Sequence, residues 1–141
     1  MTEGAPPPQR RNRNAGMGID SVAPPAGPVV AAIAGHGFRV GQIVHDGGLK
    51  LTPEAAIGWQ APRLDALTID DLTPLLDGDP APEFLLLGTG LTLRRPANDL
   101  VRVIEAKGIG IEFMDSRAAA RAWGLLRSEG RAIVAALLPL G

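Results

Sequence analysis

The sequence of 141 residues contains no cysteine, which excludes disulfide bonds, thiol catalysis and zinc–thiolate sites. Lysine is scarce as well: Lys50 and Lys107 are the only ones, and arginine supplies the remaining basic residues. The formal net charge of -1 gives no reason to expect nucleic acid or an anionic membrane as a partner. No apolar run approaches the roughly 18–20 residues of a membrane-spanning helix, so we expect a soluble protein without direct membrane insertion. The abundance of alanine, glycine and arginine is typical of a GC-rich bacterial genome, and we expect a cytoplasmic bacterial protein.

The amino-terminal segment, residues 1–28, holds almost no large apolar side chain. Such a segment cannot bury enough surface to offset the entropy lost on ordering, which predicts a disordered tail. It also lacks the apolar core of a secretory signal peptide. The rest of the chain, residues 29–141, is long enough to form one domain with its own core, and we expect a single domain there.

Residues 29–59 have the pattern of short strands. An apolar run at residues 29–33 is followed by two further strand-like segments and then by His45-Asp46-Gly47-Gly48, which is a strong turn signal. We therefore predict a β-hairpin with residues 46–48 near its tip. Residues 55–59 are predicted to form a further short strand.

The second half of the chain alternates helices with strands. Apolar runs predict strands at residues 84–87, 109–114 and 131–138. Continuous apolar runs are typical of parallel strands that are covered on both faces, and the strand–helix–strand order predicts right-handed parallel crossovers. The prediction is an α/β domain in which a β-hairpin region packs beside a small mixed or parallel sheet.

Three helices are predicted from their end signals. The first begins with a capping box formed by Thr68 and Asp71 and stops near residue 77. The second has Pro96 in its first turn and ends at Gly108. The third runs over residues 116–129, with Ser116 as its capping residue.

The turn Gly88-Thr89-Gly90 follows a buried strand and precedes a helix, which is how many nucleotide-binding turns begin. The dinucleotide fingerprint needs a third glycine at the position of Leu93, and the Walker pattern needs a Gly-Lys pair that is missing here. We therefore predict no nucleotide and no other cofactor at this turn. The glycines are explained by sterics, and Gly88 or Gly90 is expected to have a positive φ.

A binding site is still conceivable at the edge where the predicted parallel strands end. The amide groups at the start of the helix near Pro96, together with two arginines, could attract an anion there. The simpler alternative is that Ser116 caps its helix, Asp115 complements the helix dipole and the arginines are solvated. The candidate site consists of Gly88, Thr89, Gly90, Arg94, Arg95, Asp115 and Ser116.

Catalytic and metal sites have little support in the sequence. Ser116 does not lie in a Gly-x-Ser-x-Gly elbow, and His36 and His45 are the only histidines, with no metal-ligand spacing around them. Glu112 lies within an apolar strand. It is either a general base with a raised pKa or, more commonly for such a residue, the partner of an arginine such as Arg121 or Arg131. We expect no catalytic residue and no bound metal.

Charge is unevenly distributed along the chain. All six charged residues from Asp65 to Glu83 are acidic, whereas the last predicted helix carries Arg117, Arg121 and Arg127. Solvated helix faces are the usual explanation of such runs. Two faces of opposite charge would also favour oriented association with a protein partner.

One set of residues in the chain matches a known family pattern. In the carboxyl-terminal half these residues are Gly108-Ile109-Gly110-Ile111-Glu112-Phe113-Met114-Asp115-Ser116, then Ala118, Ala119, Arg121, Leu126, Glu129, Gly130 and Arg131, and further upstream they are Phe38, Ile43, Leu49, Pro53, Trp59, Leu87, Gly88, Thr89 and Gly90. Over residues 29–138 the chain resembles the family of the mitochondrial complex I assembly factor 3, which also includes the adipogenesis-associated domain-containing protein and many uncharacterised bacterial proteins.

This resemblance implies a three-layer α/β fold with a mixed central sheet and a β-hairpin layer. It implies no established enzyme activity, although members have been connected to assembly of respiratory complex I. The sequence departs from the family pattern at Ala122-Trp123-Gly124, where Thr-Tyr-Asn is common, and at Ser116, where threonine is common. A catalytic role proposed for those side chains in relatives would not transfer to this chain.

Two hypotheses follow from the sequence. One is a non-enzymatic interaction module with a protein partner, which helps to assemble a respiratory or other membrane complex. The other is a protein that binds a small molecule or anion, or an enzyme, using the edge at Gly88–Gly90 and Asp115–Ser116. The missing catalytic constellation favours the first hypothesis, and the sequence does not specify an oligomeric state.

Overall fold

The computed structural model of the chain describes residues 27–141. Residues 1–26, which make up most of the predicted tail, lie outside the described part. The strands are β1 (Ala32–Ala34), β2 (Gly37–Val40), β3 (Ile43–His45), β4 (Leu49–Leu51), β5 (Ala56–Gly58), β6 (Phe84–Gly88), β7 (Gly110–Met114) and β8 (Val134–Leu137). The helices are a 3-10 turn (Leu64–Ala66), α1 (Ile69–Leu76), α2 (Asn98–Ala106) and α3 (Ser116–Ser128).

The central sheet has five strands in the order β5-β4-β8-β6-β7. β6 pairs in parallel with both β7 and β8, while β4 runs antiparallel to β5 and β8. Helix α2 connects β6 to β7, and α3 connects β7 to β8, so the predicted parallel crossovers are present. The sheet is therefore mixed, and the predicted α/β class is confirmed.

Both faces of the central sheet are covered, which explains the continuous apolar runs of its middle strands. On one face, Leu85 and Leu87 of β6 pack in a cluster with Leu72 of α1 and Ile104 of α2. On the other face, Leu86 packs in a second cluster with residues of α3 and of β2. Successive residues of a strand point to opposite faces, so the two clusters alternate along β6.

The second face is shared by α3 and a separate three-stranded sheet in the order β1-β2-β3. Phe38 of β2 and Trp123 of α3 are fully buried in this cluster. The molecule thus has a layer of α1 and α2, a central mixed sheet, and a layer made of α3 and the small sheet. This is the three-layer fold that the family resemblance implied.

The predicted position of the hairpin tip is wrong. Val40 pairs with Ile43, so the tip of the β2–β3 hairpin lies at Gly41, which has a φ of 58°, and Gln42. Residues 46–48 instead carry the chain from the small sheet to the central sheet. Gly48 is needed there because it has a φ of 124°, and a Cβ on it would lie 2.9 Å from the Leu137 carbonyl oxygen.

The predicted helix ends are mostly confirmed. The Thr68 amide donates to the Asp71 carboxylate at 2.9 Å, which completes the reciprocal capping box of α1. Gly108 follows α2 with a φ of 78°, as expected for a residue just beyond a helix end. Pro96 differs from the prediction because it precedes α2, whose capping residue is Ala97.

The amino ends of β6 and β8 are joined by an ion pair. The Arg131 guanidinium donates to the Glu83 carboxylate at 2.8 Å, and the Ala132 amide donates to the other carboxylate oxygen at 3.4 Å. These hydrogen bonds, the arginine first, hold the pKa of Glu83 below its ordinary value of 4.5. Of the two partners suggested for Glu112, Arg131 is thus paired with Glu83, while Glu112 lies exposed on the edge strand β7.

This ion pair predicts an acid-sensitive contribution to stability. A carboxylate whose folded-state pKa is lowered stabilises the fold above its unfolded-state pKa, and the contribution is lost as the pH falls through the folded value. Glu83→Gln is therefore expected to reduce the loss of stability on acidification. Chemical denaturation of both proteins at neutral pH and below the folded-state pKa measures this. Equal losses in the two proteins would contradict the assignment of this contribution to Glu83.

Candidate functional site

The carboxyl ends of the three parallel strands meet at one edge of the central sheet. β6 ends at Gly88 and β7 at Met114, so the predicted neighbours Thr89, Gly90, Asp115 and Ser116 do come together there. β8 ends at the same edge because it is also parallel to β6. The segment that follows β8, residues 138–141, is therefore a third component of this edge.

The Ser116 hydroxyl fastens these strand ends to one another. It accepts a hydrogen bond from the Gly90 amide at 2.8 Å and donates one to the Leu138 carbonyl at 2.7 Å. The Ser116 amide in turn donates to the Gly90 carbonyl at 2.8 Å. Ser116 is fully buried, so these contacts occupy its hydroxyl in a structural junction.

Helix α3 is capped by Asp115, and the expectation that Ser116 caps it is corrected. The Ala118 amide donates to Asp115 Oδ1 at 3.0 Å. Asp115 has the extended backbone of a capping residue (φ -60°, ψ 158°), and Ser116 is the first residue within the helix. The cap moves by one residue because the Ser116 side chain is directed into the junction between β6 and β8.

Thr89 closes the loop that leaves β6. Its amide donates to the Met114 carbonyl at 2.8 Å, and its hydroxyl donates to the Thr92 carbonyl at 2.7 Å. The same hydroxyl accepts from the Arg94 amide at 3.2 Å. The Thr89 side chain thus bridges residues 89–94 and positions the backbone of Arg94.

Both glycines of the turn have steric roles. Gly90 has a φ of 102°, which confirms the prediction of a positive φ at one of them. Gly88 has no positive φ, but a Cβ on it would lie 2.8 Å from Ser116 Oγ and 2.9 Å from a methyl group of Leu137. The turn is therefore a tight connection in which Gly88 is constrained by close packing and Gly90 by its positive φ.

A cleft of about 400 Å³ opens beside this junction. It lies between residues 61–64, residues 89–94 and the segment after β8. The polar side chains that line it are those of Arg63, Thr89, Thr92 and Arg94, and the Thr89 hydroxyl is already engaged with the loop backbone. The apolar lining comes mainly from Leu64, Leu91, Leu138, Pro139 and Leu140.

Only part of the predicted site faces this cleft. Thr89, Gly90 and Arg94 line it. The Arg95 guanidinium instead lies over the Phe113 ring, 5.6 Å from its centroid, and its Nε donates to Asn98 Oδ1 at 3.2 Å.

The start of helix α2 does not face the cleft either. Its first residues line a separate groove together with residues 67–69. The geometry therefore does not bring the helix amides and the two arginines to one point, as the sequence hypothesis required.

Arg63 and Arg94 bring positive charge to the cleft, and the carboxylate of Asp65 lies beside Arg63. Arg63 Nε lies 3.3 Å from Asp65 Oδ1, and both side chains are largely exposed. The Arg63 hydrogen bond and charge lower the pKa of Asp65, with a smaller contribution from the charge of Arg94. Asp65 therefore offsets part of the positive potential that the two arginines create.

Two components of the cleft were missed by the sequence reasoning. Residues 138–141 could have been found, because the sequence already predicted a third parallel strand, whose carboxyl end had to lie at this edge. Arg63 had no such signal. It reaches the cleft from the segment after β5, through the antiparallel half of the sheet, and no local pattern marks that approach.

The positions that depart from the family pattern lie in α3. Trp123 is a fully buried core residue, and its Nε1 donates to the Pro28 carbonyl at 2.9 Å. A Cβ built on Gly124 would have no atom within 4 Å other than those of its chain neighbours and of the α3 backbone. Trp123 and Gly124 therefore lie in the α3 layer and do not line the cleft.

Within residues 27–141, no group of three or more histidine and carboxylate side chains is arranged to hold a metal ion.

Solved structures with this arrangement define the class of protein. The solution structure of a Bordetella pertussis protein, described as an Mth938-like domain, has a TM-score of 0.70 at 30% identity and covers 81% of this chain and 87% of its own. An outer membrane protein from Bartonella henselae has a TM-score of 0.74 at 28% identity over 84% of this chain and all of the other. The chain thus has the α/β fold seen in Mth938-like domains.

The family follows from the sequence comparison. Residues 30–138 match the family described as "Protein of unknown function (DUF498/DUF598)", and the chain belongs to that family. An uncharacterised protein of Rhodobacter capsulatus is 37% identical over 103 residues, which are 73% of this chain and 77% of the relative. NADH dehydrogenase [ubiquinone] 1 alpha subcomplex assembly factor 3 of Danio rerio is 27% identical over 114 residues, which are 81% of this chain and 66% of that protein.

The resemblance to the assembly factor 3 family is therefore confirmed. The chain spans between half and two thirds of the length of the vertebrate assembly factors, with 50% for the human protein. Among the described residues, no helix is both long enough and apolar enough to cross a membrane.

Proposed function

We propose that this protein is a non-enzymatic interaction module that assists the assembly of a respiratory or other multisubunit membrane complex. The observation that carries the proposal is the family membership of residues 30–138, which includes proteins named as assembly factors of NADH dehydrogenase. The matched region is the whole α/β domain, so the relatives share the structural unit that would contact a partner.

The hydrogen bonding at the strand ends supports an interaction role over a catalytic one. The hydroxyl of Ser116, the carboxylate of Asp115 and the hydroxyl of Thr89 all bond to backbone groups of the junction. A general base or nucleophile must reach the proton or atom that it attacks. Side chains that hold a buried junction together are poorly suited to that task.

The charge distribution supports oriented docking on a partner. Asp70 and Asp71 lie in the first turn of α1 and Asp77 at its end, and α1 covers one face of the central sheet. The exposed Arg117 and Arg121 lie on α3, which covers the opposite face. Complementary charge mainly sets orientation and the rate of encounter, which suits a transient assembly factor. We place this encounter in the bacterial cytoplasm, with a protein rather than a nucleic acid as partner.

Deletion of the gene in its host cell tests the proposal. We expect less fully assembled NADH dehydrogenase in the membrane, because an assembly factor raises the yield of complex without being needed for its turnover. Native gel electrophoresis and NADH oxidation by isolated membranes measure this, with succinate oxidation as the control. Normal amounts of NADH dehydrogenase and of the other respiratory complexes would contradict the proposal.

Complementation with charge variants then tests the α3 face. Arg117→Glu combined with Arg121→Glu should rescue the deletion poorly, while thermal stability stays near that of the wild type because both side chains are exposed. The matched control is Arg102→Glu combined with Lys107→Glu, two exposed positions on α2 and at its end in the opposite layer, which should rescue fully. Equal rescue by both variants would remove the α3 face from the proposal.

A further inference from the structure

We propose that the cleft at the carboxyl ends of β6 and β8 binds a small organic anion, one that joins a carboxylate or phosphate group to an apolar portion. This inference goes beyond the assembly role and does not depend on it. It rests on the position of the cleft, on the two arginines at its rim and on its apolar wall.

The position and size of the cleft are those of a ligand site. Open sheets with parallel strands bind ligands beyond the carboxyl ends of their strands, and both β6 and β8 end at this cleft. Its volume of about 400 Å³ falls in the range of small-molecule pockets. Three segments that are distant in the chain form its walls, so its shape depends on the complete fold.

The charged group of the ligand would be recognised by Arg94 and Arg63. Within residues 27–141, Arg94 forms no salt bridge, so its guanidinium can pair with an incoming anion. Arg63 is held by Asp65 through bonds of 3.3 and 3.4 Å, which are long for a charge-assisted pair. A carboxylate or phosphate in the cleft can compete with Asp65 for this arginine.

The backbone of the turn does not provide an alternative anion cradle. A phosphate loop needs free amide groups that point at the ligand. Here the Gly90 amide donates to Ser116 and the Thr89 amide donates to Met114. The amides of Thr89 and Gly90 are thus occupied, and we assign recognition of the anion to the forked guanidinium groups of the two arginines.

The apolar portion of the ligand would cover Leu91. This side chain lines the cleft but is 64% exposed, although the loop that carries it is fixed by Thr89. Leu138 and Leu140 supply buried apolar surface at the base of the cleft. Covering the exposed surface of Leu91 removes apolar area from water, which favours binding. An inorganic anion has no apolar portion, so it would leave the Leu91 side chain exposed to water.

The loop that presents Arg94 is organised before any ligand arrives. The Arg94 amide is bonded to the Thr89 hydroxyl, and that hydroxyl also holds the Thr92 carbonyl. A preformed site avoids the entropy cost of ordering a loop on binding. Neighbouring Arg95 is directed onto Phe113 instead, so two adjacent arginines differ in whether they face the cleft.

Binding can be tested on the full chain, labelled with 15N, by two-dimensional NMR titration. Octanoate and octyl phosphate combine an anionic group with an apolar chain, octanol lacks the charge, and acetate and inorganic phosphate lack the chain. We expect octanoate or octyl phosphate to shift the amide signals of residues 89–94 and 138–141 in a saturable way. Octanol, acetate and inorganic phosphate should bind at least several-fold more weakly, and the stronger of the two amphiphiles identifies the head group.

The adjacent arginines provide a matched pair of variants. Arg94→Ala should weaken binding of the better amphiphile by about five- to tenfold, since a charge-assisted hydrogen bond at an exposed site is lost. Arg95→Ala, which removes the same charge from the next residue, should change the affinity less than twofold. Both side chains are exposed, so both variants are expected to fold, which the NMR spectrum itself shows.

Three results would overturn the proposal. One is the absence of saturable shifts with either amphiphile at millimolar concentration, and another is saturable shifts that map to a different surface. The third is an equal loss of affinity in Arg94→Ala and Arg95→Ala, which would show that general electrostatic attraction, and not the cleft, is responsible. None of these results bears on whether deletion of the gene lowers the amount of assembled complex.

Discussion

Gly88→Val is expected to lower the free energy of unfolding by about 3 kcal/mol or more, which is at the upper end of overpacking effects. A Cβ at this position would lie 2.8 Å from Ser116 Oγ, 2.9 Å from Leu137 Cδ2 and 3.0 Å from Ser116 Cα. The conflict with Ser116 Cα involves backbone, which cannot move aside by changing rotamer. The strand itself cannot shift freely, because β6 is paired on both sides.

Two other glycines act as controls for Gly88. Gly90→Ala should cost about 1–2 kcal/mol, because its φ of 102° is unfavourable for residues with a side chain, whereas the nearest atom to its Cβ is 3.3 Å away. Gly124→Ala lies in α3 with open space around its Cβ, and it should stabilise the protein by about 0.5–1 kcal/mol. Urea denaturation followed by tryptophan fluorescence measures all three. A Gly88→Val protein as stable as wild type would contradict the close packing of Gly88 against Ser116.

Much of the fold could be predicted because its signals are local. Residues 84–87 form a continuous apolar run because both faces of β6 are covered, and that run predicts a buried strand. Thr68 and Asp71 mark the start of α1 because they bond to each other there. The hairpin tip could not be placed in this way. A glycine-rich segment looks the same whether it reverses a hairpin or crosses between sheets. Residues 46–48 cross between the sheets because the strand that follows them, β4, pairs with β8. Strand β8 lies more than 80 residues further along the chain, so no local pattern shows this.

The candidate site was predicted only in part, for a related reason. The strand order brings Thr89, Asp115 and Ser116 to one edge, and that could be inferred from parallel crossovers. Whether a side chain faces the cleft depends on individual torsion angles of the loop residues, which the sequence does not specify. Arg94 and Arg95 are adjacent and chemically identical, yet only Arg94 lines the cleft, because Arg95 finds Phe113 and Asn98.

Ser116→Ala is expected to lower the free energy of unfolding by about 2–4 kcal/mol. The substitution leaves the Gly90 amide and the Leu138 carbonyl, both in buried residues, without their hydrogen-bond partner. An unsatisfied buried polar group costs about 1–3 kcal/mol, and here there are two of them. The matched control is Ser128→Ala in the same helix. Its exposed hydroxyl bonds to the Leu125 carbonyl, so water can replace it, and we expect a change within about 0.5 kcal/mol.

A double-mutant cycle between the two positions tests whether Ser116 is the reason that Gly88 must be glycine. When Ser116 is present, the methyl group introduced by Gly88→Ala has the Ser116 hydroxyl oxygen as its nearest neighbour, at 2.8 Å. In the Ser116→Ala background that oxygen is gone, although Leu137 Cδ2 and Ser116 Cα remain close. Gly88→Ala should therefore cost less there, with a coupling of about 0.5–1.5 kcal/mol. Strictly additive effects would mean that the hydroxyl and the glycine stabilise the junction independently. In that case the Gly-Thr-Gly turn would be constrained by the backbone of α3 and by Leu137 rather than by the Ser116 hydrogen bonds.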